Sequence, residues 1–181
     1  MRIIGGKFKG RTLATPKGNE TRPSSSQLRE TLFNLCRSRI EDAEFLDLFA
    51  GSGSVGFEAL SRGATSVTFV DRSKNALECL KKNAKTLEVH PKIYFGDVFD
   101  TLKRLSFKKS PFDIIFADPP YALGLGQKTL NFVETSSLLK IGGYLIIEEA
   151  KETPLIPKVL LEEKRRPFGR TLLYVFRKIS T

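Results

Sequence analysis

Four consecutive residues, Asp118-Pro119-Pro120-Tyr121, set a carboxylate, two prolines and an aromatic ring directly behind the apolar run Ile114-Ile115-Phe116. Consecutive prolines make a stiff turn without amide donors of its own, so its carbonyls stay open to a ligand. Asp118 and the Pro119 carbonyl can accept both hydrogens of an exocyclic amino group, and Tyr121 offers a face on which a base stacks. Such a nitrogen is a poor nucleophile because its lone pair is delocalised into the base. Holding both hydrogens draws it towards a pyramidal geometry and aims the lone pair at an electrophilic methyl group. In-line displacement from a sulfonium then needs orientation and electrostatics, with no metal and no covalent enzyme intermediate. Asp118 or water takes the released proton. The competing explanation is a proline turn that only ends a strand, with Tyr121 packing on it.

A second constellation lies upstream. Gly51-Ser52-Gly53-Ser54-Val55-Gly56 has the spacing G-x-G-x-x-G between a predicted strand and a predicted helix, and Asp71 follows 20 residues after Gly51. Glycines permit a tight turn and close backbone approach, while a carboxylate at the tip of the second strand accepts hydrogen bonds from ribose hydroxyls. The pattern serves NAD or S-adenosylmethionine equally. Asp47, four residues before Gly51, favours the second: a buried negative charge suits an ammonium-bearing cofactor and opposes a pyrophosphate. Gly96-Asp97, after the third strand, puts another carboxylate where an adenine amino group is within reach. Asp97 serves equally well as a helix cap.

These residues need a sheet to hold them. Hydrophobic periodicity predicts a helix from the Ser24-Ser25-Ser26-Gln27 capping box to about Ile40, with Leu28, Leu32, Leu35 and Cys36 on one face. Strands are predicted over 45–49, 66–70, 92–95, 112–117 and 144–148. Helices are predicted over 54–62, from Ser73 through Leu87, over 98–105 and over 127–139. This βαβα alternation predicts an α/β fold with a mainly parallel sheet covered on both faces. Segments 159–166 and 171–177, joined through Pro167-Phe168-Gly169-Arg170, are predicted to close it as an antiparallel pair. Residues 1–27 form a basic extension beginning in a glycine-punctuated hairpin, and 28–181 the main domain.

Composition agrees with one soluble globular domain: 181 residues, 40% hydrophobic and 28% charged, which excludes disordered and collagen-like chains. No apolar stretch reaches membrane-spanning length and no signal-like segment follows Met1, so a cytoplasmic protein is expected. Cys36 and Cys79 lie in apolar-periodic segments and are read as packing residues; His90 is the sole histidine, so neither a zinc site nor a serine–histidine triad is expected. The net charge of +10 resides wholly at the two ends. Residues 1–27 hold six basic groups against Glu20, and residues 151–181 hold eight against Glu152, Glu162 and Glu163. A neutral centre between basic ends suits a catalytic core whose termini grip a polyanion.

Asp-Pro-Pro-Tyr after the fourth strand, with the glycine loop after the first, resembles the class I S-adenosylmethionine-dependent amino-methyltransferases. Arg2-Ile3-Ile4-Gly5-Gly6, Lys9-Gly10-Arg11, Leu13, Arg22-Pro23 and Arg29-Glu30-Thr31-Leu32-Phe33-Asn34 narrow the resemblance to the RsmD family, whose members methylate N2 of a guanine in small-subunit (16S) ribosomal RNA. It covers essentially the whole chain, including the hairpin around Phe168-Gly169. The resemblance implies a Rossmann-like seven-stranded sheet with an antiparallel last strand. It further implies that Asp47, Gly51 and Gly53 surround the methionine part of the cofactor, Asp71 the ribose and Asp97 the adenine, with Phe49, Ser52, Arg72 and Asp118 completing that site. Asp118, Pro119, Pro120 and Tyr121 would hold the target base. Arg2, Lys7, Lys9, Arg11, Arg22, Arg165, Arg166 and Arg170 are the candidate RNA contacts, with Arg22 and Pro23 approaching the active site. Two positions depart from the family: Ser24 replaces a threonine, and Arg170 stands where an acidic residue is common.

Rival readings are a DNA adenine-N6 or cytosine-N4 methyltransferase, for whose target-recognition region the chain has no room, and an NAD-dependent dehydrogenase, which leaves Asp118 to Tyr121 without a role. A non-catalytic RNA-binding protein on a methyltransferase scaffold is opposed by the intact Asp47, Asp71 and Asp118. The expected partner is ribosomal RNA or a small-subunit assembly intermediate, met by a monomer without metal or membrane.

Overall fold

Runs such as Ile114-Ile115-Phe116 and Leu145-Ile146-Ile147 have no polar alternation because both faces of their strands are covered. The computed structural model describes residues 1–16, 25–107, 111–121 and 123–180. Its strands are β1 (Glu44–Leu48), β2 (Ser66–Asp71), β3 (Lys92–Phe95), β4 (Phe112–Ala117), β5 (Leu139–Ala150), β6 (Leu161–Phe168) and β7 (Thr171–Arg177). They form one seven-stranded sheet in the order β3-β2-β1-β4-β5-β7-β6. The strands β1 to β5 run parallel, and β7 enters antiparallel between β5 and β6. The α/β architecture with an antiparallel last strand is the one expected.

Successive side chains point to opposite faces. Phe45, Ile114, Phe116 and Ile146 pack under α1 (Ser26–Leu35), α2 (Ser54–Ser61) and α3 (Lys74–Leu87). Leu46, Leu48, Ile115, Leu145 and Ile147 pack under α4 (Val98–Ser106) and α5 (Leu125–Glu134). Each crossover returns the chain to the same sheet edge, so the ends of β1 to β5 and the loops that follow them gather there.

Several boundaries differ from the sequence reading. The cap of α1 is Ser25, whose hydroxyl accepts the Leu28 N–H at 3.1 Å, so the helix starts one residue later than predicted and, with Leu28 at the third helical position, has a serine cap without the reciprocal side chain of a box; Ser24 lies outside the described residues. This helix stops at Leu35, and Arg37–Arg39 form a 3-10 turn, because no apolar side chain follows Cys36 until Ile40. Helix α5 covers 125–134 instead of 127–139. Left-handed Gly124 starts it early, and the Thr135 and Ser136 hydroxyls bond back to the Asn131 and Val133 carbonyls where it ends. Leu139, read as helical, opens β5, which runs through Gly142-Gly143 with an irregular register against β4. In the terminal hairpin only Gly169 and Arg170 form the turn; Pro167 belongs to the edge strand β6, where its missing donor costs little.

Among the described residues 1–16, a single antiparallel bridge, Arg2 with Thr12, stands in place of a regular hairpin. The backbone amides of this amino-terminal segment bond partly within it, as Ile3 to the Arg11 carbonyl and Leu13 to that of Met1, and partly to side chains from α2 and α3. Glu58, fully buried, accepts the Ile4 N–H at 2.9 Å and the Gly5 N–H at 2.8 Å while pairing with Arg62 at 2.9 Å. Arg29, also buried, approaches the same carboxylate at 3.9 Å and donates to the Arg2 carbonyl at 2.8 Å. Asn83 pairs with Ala14 through both amide groups, at 2.7 and 3.0 Å. Glu58→Ala is expected to lower unfolding free energy by about 3–5 kcal/mol, because it strips two backbone donors and leaves the Arg29 charge buried without its carboxylate. Urea titration checks this, with Glu58→Gln expected to cost less.

Candidate active site

Strand order reverses between β1 and β4, so the crevice beyond their carboxyl ends is the switch point at which open α/β sheets take ligands. The glycine loop occupies one side of it. Gly51 (φ +55°) has no protein atom within 4 Å of where a Cβ would stand, which leaves its backbone open to close approach. Gly53 (φ +74°) caps α2, and a Cβ there would meet Leu80 at 2.5 Å and Phe57 at 2.7 Å. Phe49 precedes the loop at φ +56°, an uncommon conformation for a bulky residue and one that marks a strained turn. Ser52 is buried, and its carbonyl accepts the Asn83 side-chain amide at 2.9 Å.

Asp71, at the tip of β2, braces this loop. Its Oδ2 accepts the Gly51 N–H and its Oδ1 the Ser73 N–H, each at 2.8 Å, fixing the turn and the start of α3 together. Each carboxylate oxygen retains a further lone-pair direction, which suits ribose hydroxyls. Asp47 is 2% exposed and accepts the Gly56 N–H at 2.9 Å. Burial, reinforced by the neighbouring Asp71 charge and opposed by the Gly56 bond, pushes its carboxyl well above the ordinary aspartate range. A cation beside Asp47 would relieve that penalty, so this donor set fits a ligand with an ammonium group and not a pyrophosphate. Asp97 is exposed and caps α4 through Oδ1, which accepts from Phe99 at 2.8 Å and Asp100 at 3.2 Å. Both helix-capping bonds use one oxygen. Arg72 is exposed beside Asp71.

Across the crevice, Ala117 pairs with Leu48 on one side and Ile147 on the other, placing Asp118 between the ends of β1 and β5. Asp118 is half-buried, Pro119 buried and Pro120 exposed. Tyr121 is 44% exposed, with its hydroxyl donating to Glu148 Oε1 at 3.2 Å. Burial first, then the charges of Asp118, Glu148 and Glu149, raise the phenol above its ordinary pKa, so it remains a donor at neutral pH. The arrangement offers acidic, acceptor-rich groups beside an aromatic face, suited to a base that presents hydrogen-bond donors.

The basic candidates occupy three places. Arg170 is at the tip of the β6–β7 hairpin, on the same sheet edge as Asp118, and its carbonyl accepts the Lys151 N–H at 3.2 Å. Arg165 and Arg166 are exposed along edge strand β6, where Arg165 pairs with Glu162 at 2.8 Å. Arg2, Lys7, Lys9 and Arg11 are exposed, but Lys7 binds the Ser61 carbonyl through its N–H and so lies, with Lys9, at the end of α2 remote from the glycine loop. Arg22 and Pro23 lie outside the described residues. Sequence reading misses Glu148, Asn83, Glu58 and Arg29. Each carries a signal, a polar residue inside an apolar stripe or run, which demands a buried partner.

The family model described as "Conserved hypothetical protein 95" matches residues 1–177. The Ribosomal RNA small subunit methyltransferase D of Haemophilus influenzae is 38% identical over 91% of this chain and 88% of its own length. The protein of the same name from Escherichia coli K12 is 36% identical over 87% of this chain and 79% of its own. Among solved structures, a hypothetical protein of Thermus thermophilus superposes with a TM-score of 0.86 at 31% identity, covering 98% of this chain and 99% of that one.

Asp47 keeps its proton to higher pH when folded than when unfolded, so stability falls as pH climbs from the ordinary aspartate value through the raised one. Asp47→Asn, which still accepts the Gly56 N–H, is expected to leave stability unchanged at about pH 3 and to raise the urea midpoint increasingly above that. S-adenosylhomocysteine, which carries an ammonium group, is expected to reverse the order at neutral pH by stabilising the wild type far more than the variant. Equal ligand-induced shifts in the two proteins would remove Asp47 as the ammonium partner.

Proposed function

The chain belongs to the RsmD family, the one its matching model describes as conserved hypothetical protein 95, and from that premise we propose that it methylates N2 of a guanine in small-subunit ribosomal RNA. The observation that carries the reading is the placement of Asp118-Pro119-Pro120-Tyr121 across the strand-order reversal from a glycine loop flanked by Asp47 and Asp71. When bound, S-adenosylmethionine supplies a methyl group activated by a positive sulfonium. Asp47 faces its ammonium group, the open backbone at Gly51 and the buried Gly53 shape the methionine part, Asp71 takes the ribose and Asp97 the adenine. Phe49, Ser52 and Arg72 border the same site.

Asp118 and the Pro119 carbonyl take the two hydrogens of the guanine amino group and turn its lone pair towards the methyl group. Pro120 stiffens the turn and Tyr121 stacks on the base. A paired guanine hides this edge, so the base leaves its stack to enter the pocket. Residues 1–27 act as a basic extension of the methyltransferase domain, 28–181. Arg2, Lys7, Lys9, Arg11 and Arg22, with Arg165, Arg166 and Arg170 on the hairpin, bind phosphates of a ribosomal RNA or small-subunit assembly intermediate. The protein works as a cytoplasmic monomer; among the described residues no helix is long and apolar enough to cross a membrane.

Incubation with labelled S-adenosylmethionine and small-subunit particles lacking the native modification, followed by nucleoside mass spectrometry, is expected to place label in N2-methylguanosine. Asp118→Ala is expected to cut the rate about a hundredfold or more, the scale of losing a positioned charge-stabilising group. Label in another nucleoside would discard the guanine assignment. Neutralising Lys7, Lys9 and Arg11 together is expected to weaken RNA binding and flatten the slope of log K against log salt by about 2, each phosphate contact contributing about 0.7–0.9. Cofactor affinity should not change; its loss would overturn the separation of the two surfaces.

A further inference from the structure

Glu148 ends the apolar run of β5 on the face occupied by Tyr144 and Ile146, and it is only 7% exposed. A carboxylate so placed costs stability unless it is fully partnered, and an apolar side chain would fill the position more cheaply. Its Oε1 receives the Tyr121 hydroxyl at 3.2 Å and lies 2.9 Å from the Thr171 hydroxyl. Thr171 is the first residue of β7, opposite Ala150, and follows Arg170 directly. One oxygen therefore joins the turn that bears Pro119 and Pro120 to the tip of the terminal hairpin.

The ring of Tyr121 has no comparable restraint from burial, since it is 44% exposed. Its hydroxyl bond to a fixed strand pins the far end of the ring and so sets the direction of its long axis. The turn after β4 is held from the other face as well: the Glu149 carboxylate packs against Gly126 in the first turn of α5, where a Cβ would collide with it. Two adjacent glutamates on opposite faces of β5 thus brace the segment that leads from Asp118 into α5.

We propose that Glu148 is a positioning residue that fixes the Tyr121 ring as the stacking platform for the target base and ties it, through Thr171, to the hairpin tip that carries Arg170. This rests on the methyltransferase reading above for its consequence in catalysis, not for its geometry. Glu148 touches neither the base nor the cofactor in this scheme. It acts through Tyr121, which requires only that position 148 present an acceptor oxygen.

The test compares Glu148→Ala, Glu148→Gln, Tyr121→Phe and the Glu148→Ala/Tyr121→Phe double variant in protein labelled with fluorotyrosine. The fluorine resonance of residue 121, assigned by its loss in Tyr121→Phe, is expected to move towards the solvent-exposed position in Glu148→Ala and to stay in Glu148→Gln. Methylation of small-subunit particles is expected to fall about tenfold in kcat/KM in Glu148→Ala and in Tyr121→Phe, the scale of one lost charge-assisted hydrogen bond, with S-adenosylhomocysteine affinity unchanged. The double variant should be no worse than either single one, and Glu148→Gln should recover most of the loss. Additive losses, or a 121 resonance indifferent to Glu148→Ala, would overturn the proposal. Should wild-type protein methylate no RNA, the functional reading falls, while the fluorine resonance still decides the positioning. If Glu148→Ala fails to fold, Glu148→Met, which fills the space but presents no acceptor oxygen, is expected to move the 121 resonance in the same direction, and an unmoved resonance there would overturn the proposal.

Discussion

A row of carboxylates along one sheet edge is the constraint around which this molecule is arranged. Asp47, Asp71, Asp97, Asp118 and Glu148 lie near or just beyond the carboxyl ends of β1, β2, β3, β4 and β5 in turn. Like charges so gathered repel, and the effect is visible where Asp71 helps to raise the Asp47 carboxyl. The fold answers with donors. Backbone amides of Gly51, Ser73, Gly56, Phe99 and Asp100 and the Tyr121 hydroxyl all point at these groups. Every one of these donors belongs to a turn or helix start at the same edge. Shaping the turns and satisfying the acids are therefore one process, and what remains unbalanced is negative charge, suited to a cationic cofactor and to a base edge made of donors.

The second dependence runs through the amino-terminal segment. Its described residues, 1–16, make one isolated bridge, yet Ile3 and Leu13 are buried in the core shared by α1, α2 and α3. The amides of Ile4, Gly5 and Ala14 are met by Glu58 and Asn83, each a polar residue set in an otherwise apolar helix face. Asn83 also holds the Ser52 carbonyl, so the helix that anchors residue 14 steadies the glycine loop with the same side chain. This extension is structurally part of the glycine loop's support, although Lys7 and Lys9 lie at the far end of α2.

Legibility from sequence follows the strength of the local signal. The limits predicted for β3, β4 and β7 are those observed, because apolar runs flanked by Gly, Pro or charge leave one way to bury them. The glycine loop with Asp71 is readable because its spacing encodes a turn and a brace. Prediction fails at α5 and β5, where Gln127 to Leu139 keeps helical periodicity past the point at which Thr135 and Ser136 hydroxyls compete for the carbonyls. Tertiary pairing of Leu139 with Phe112 then decides the issue, and no local window contains that contact. Glu148 and Asn83 stand out as polar residues in apolar surroundings, but their partners Thr171 and Ala14, 23 and 69 residues away, are not readable for the same reason.

The distribution of charge separates two kinds of binding in one small domain. The acids are set into turns, and Asp47 and Glu148 are nearly inaccessible, so salt screens them weakly. The candidate phosphate contacts, Lys7, Lys9, Arg11, Arg165, Arg166 and Arg170, are all exposed, so their attraction to a polyanion is long-ranged and salt-sensitive. Had bases lined the crevice, they would have competed with an ammonium and a sulfonium for the same carboxylates. Had acids faced outward in number, they would have repelled the nucleic acid. A chain with a net charge of +10 therefore keeps an acidic edge by setting those acids into turns and helix starts whose amides and hydroxyls face them, which fits the tight turns around the crevice.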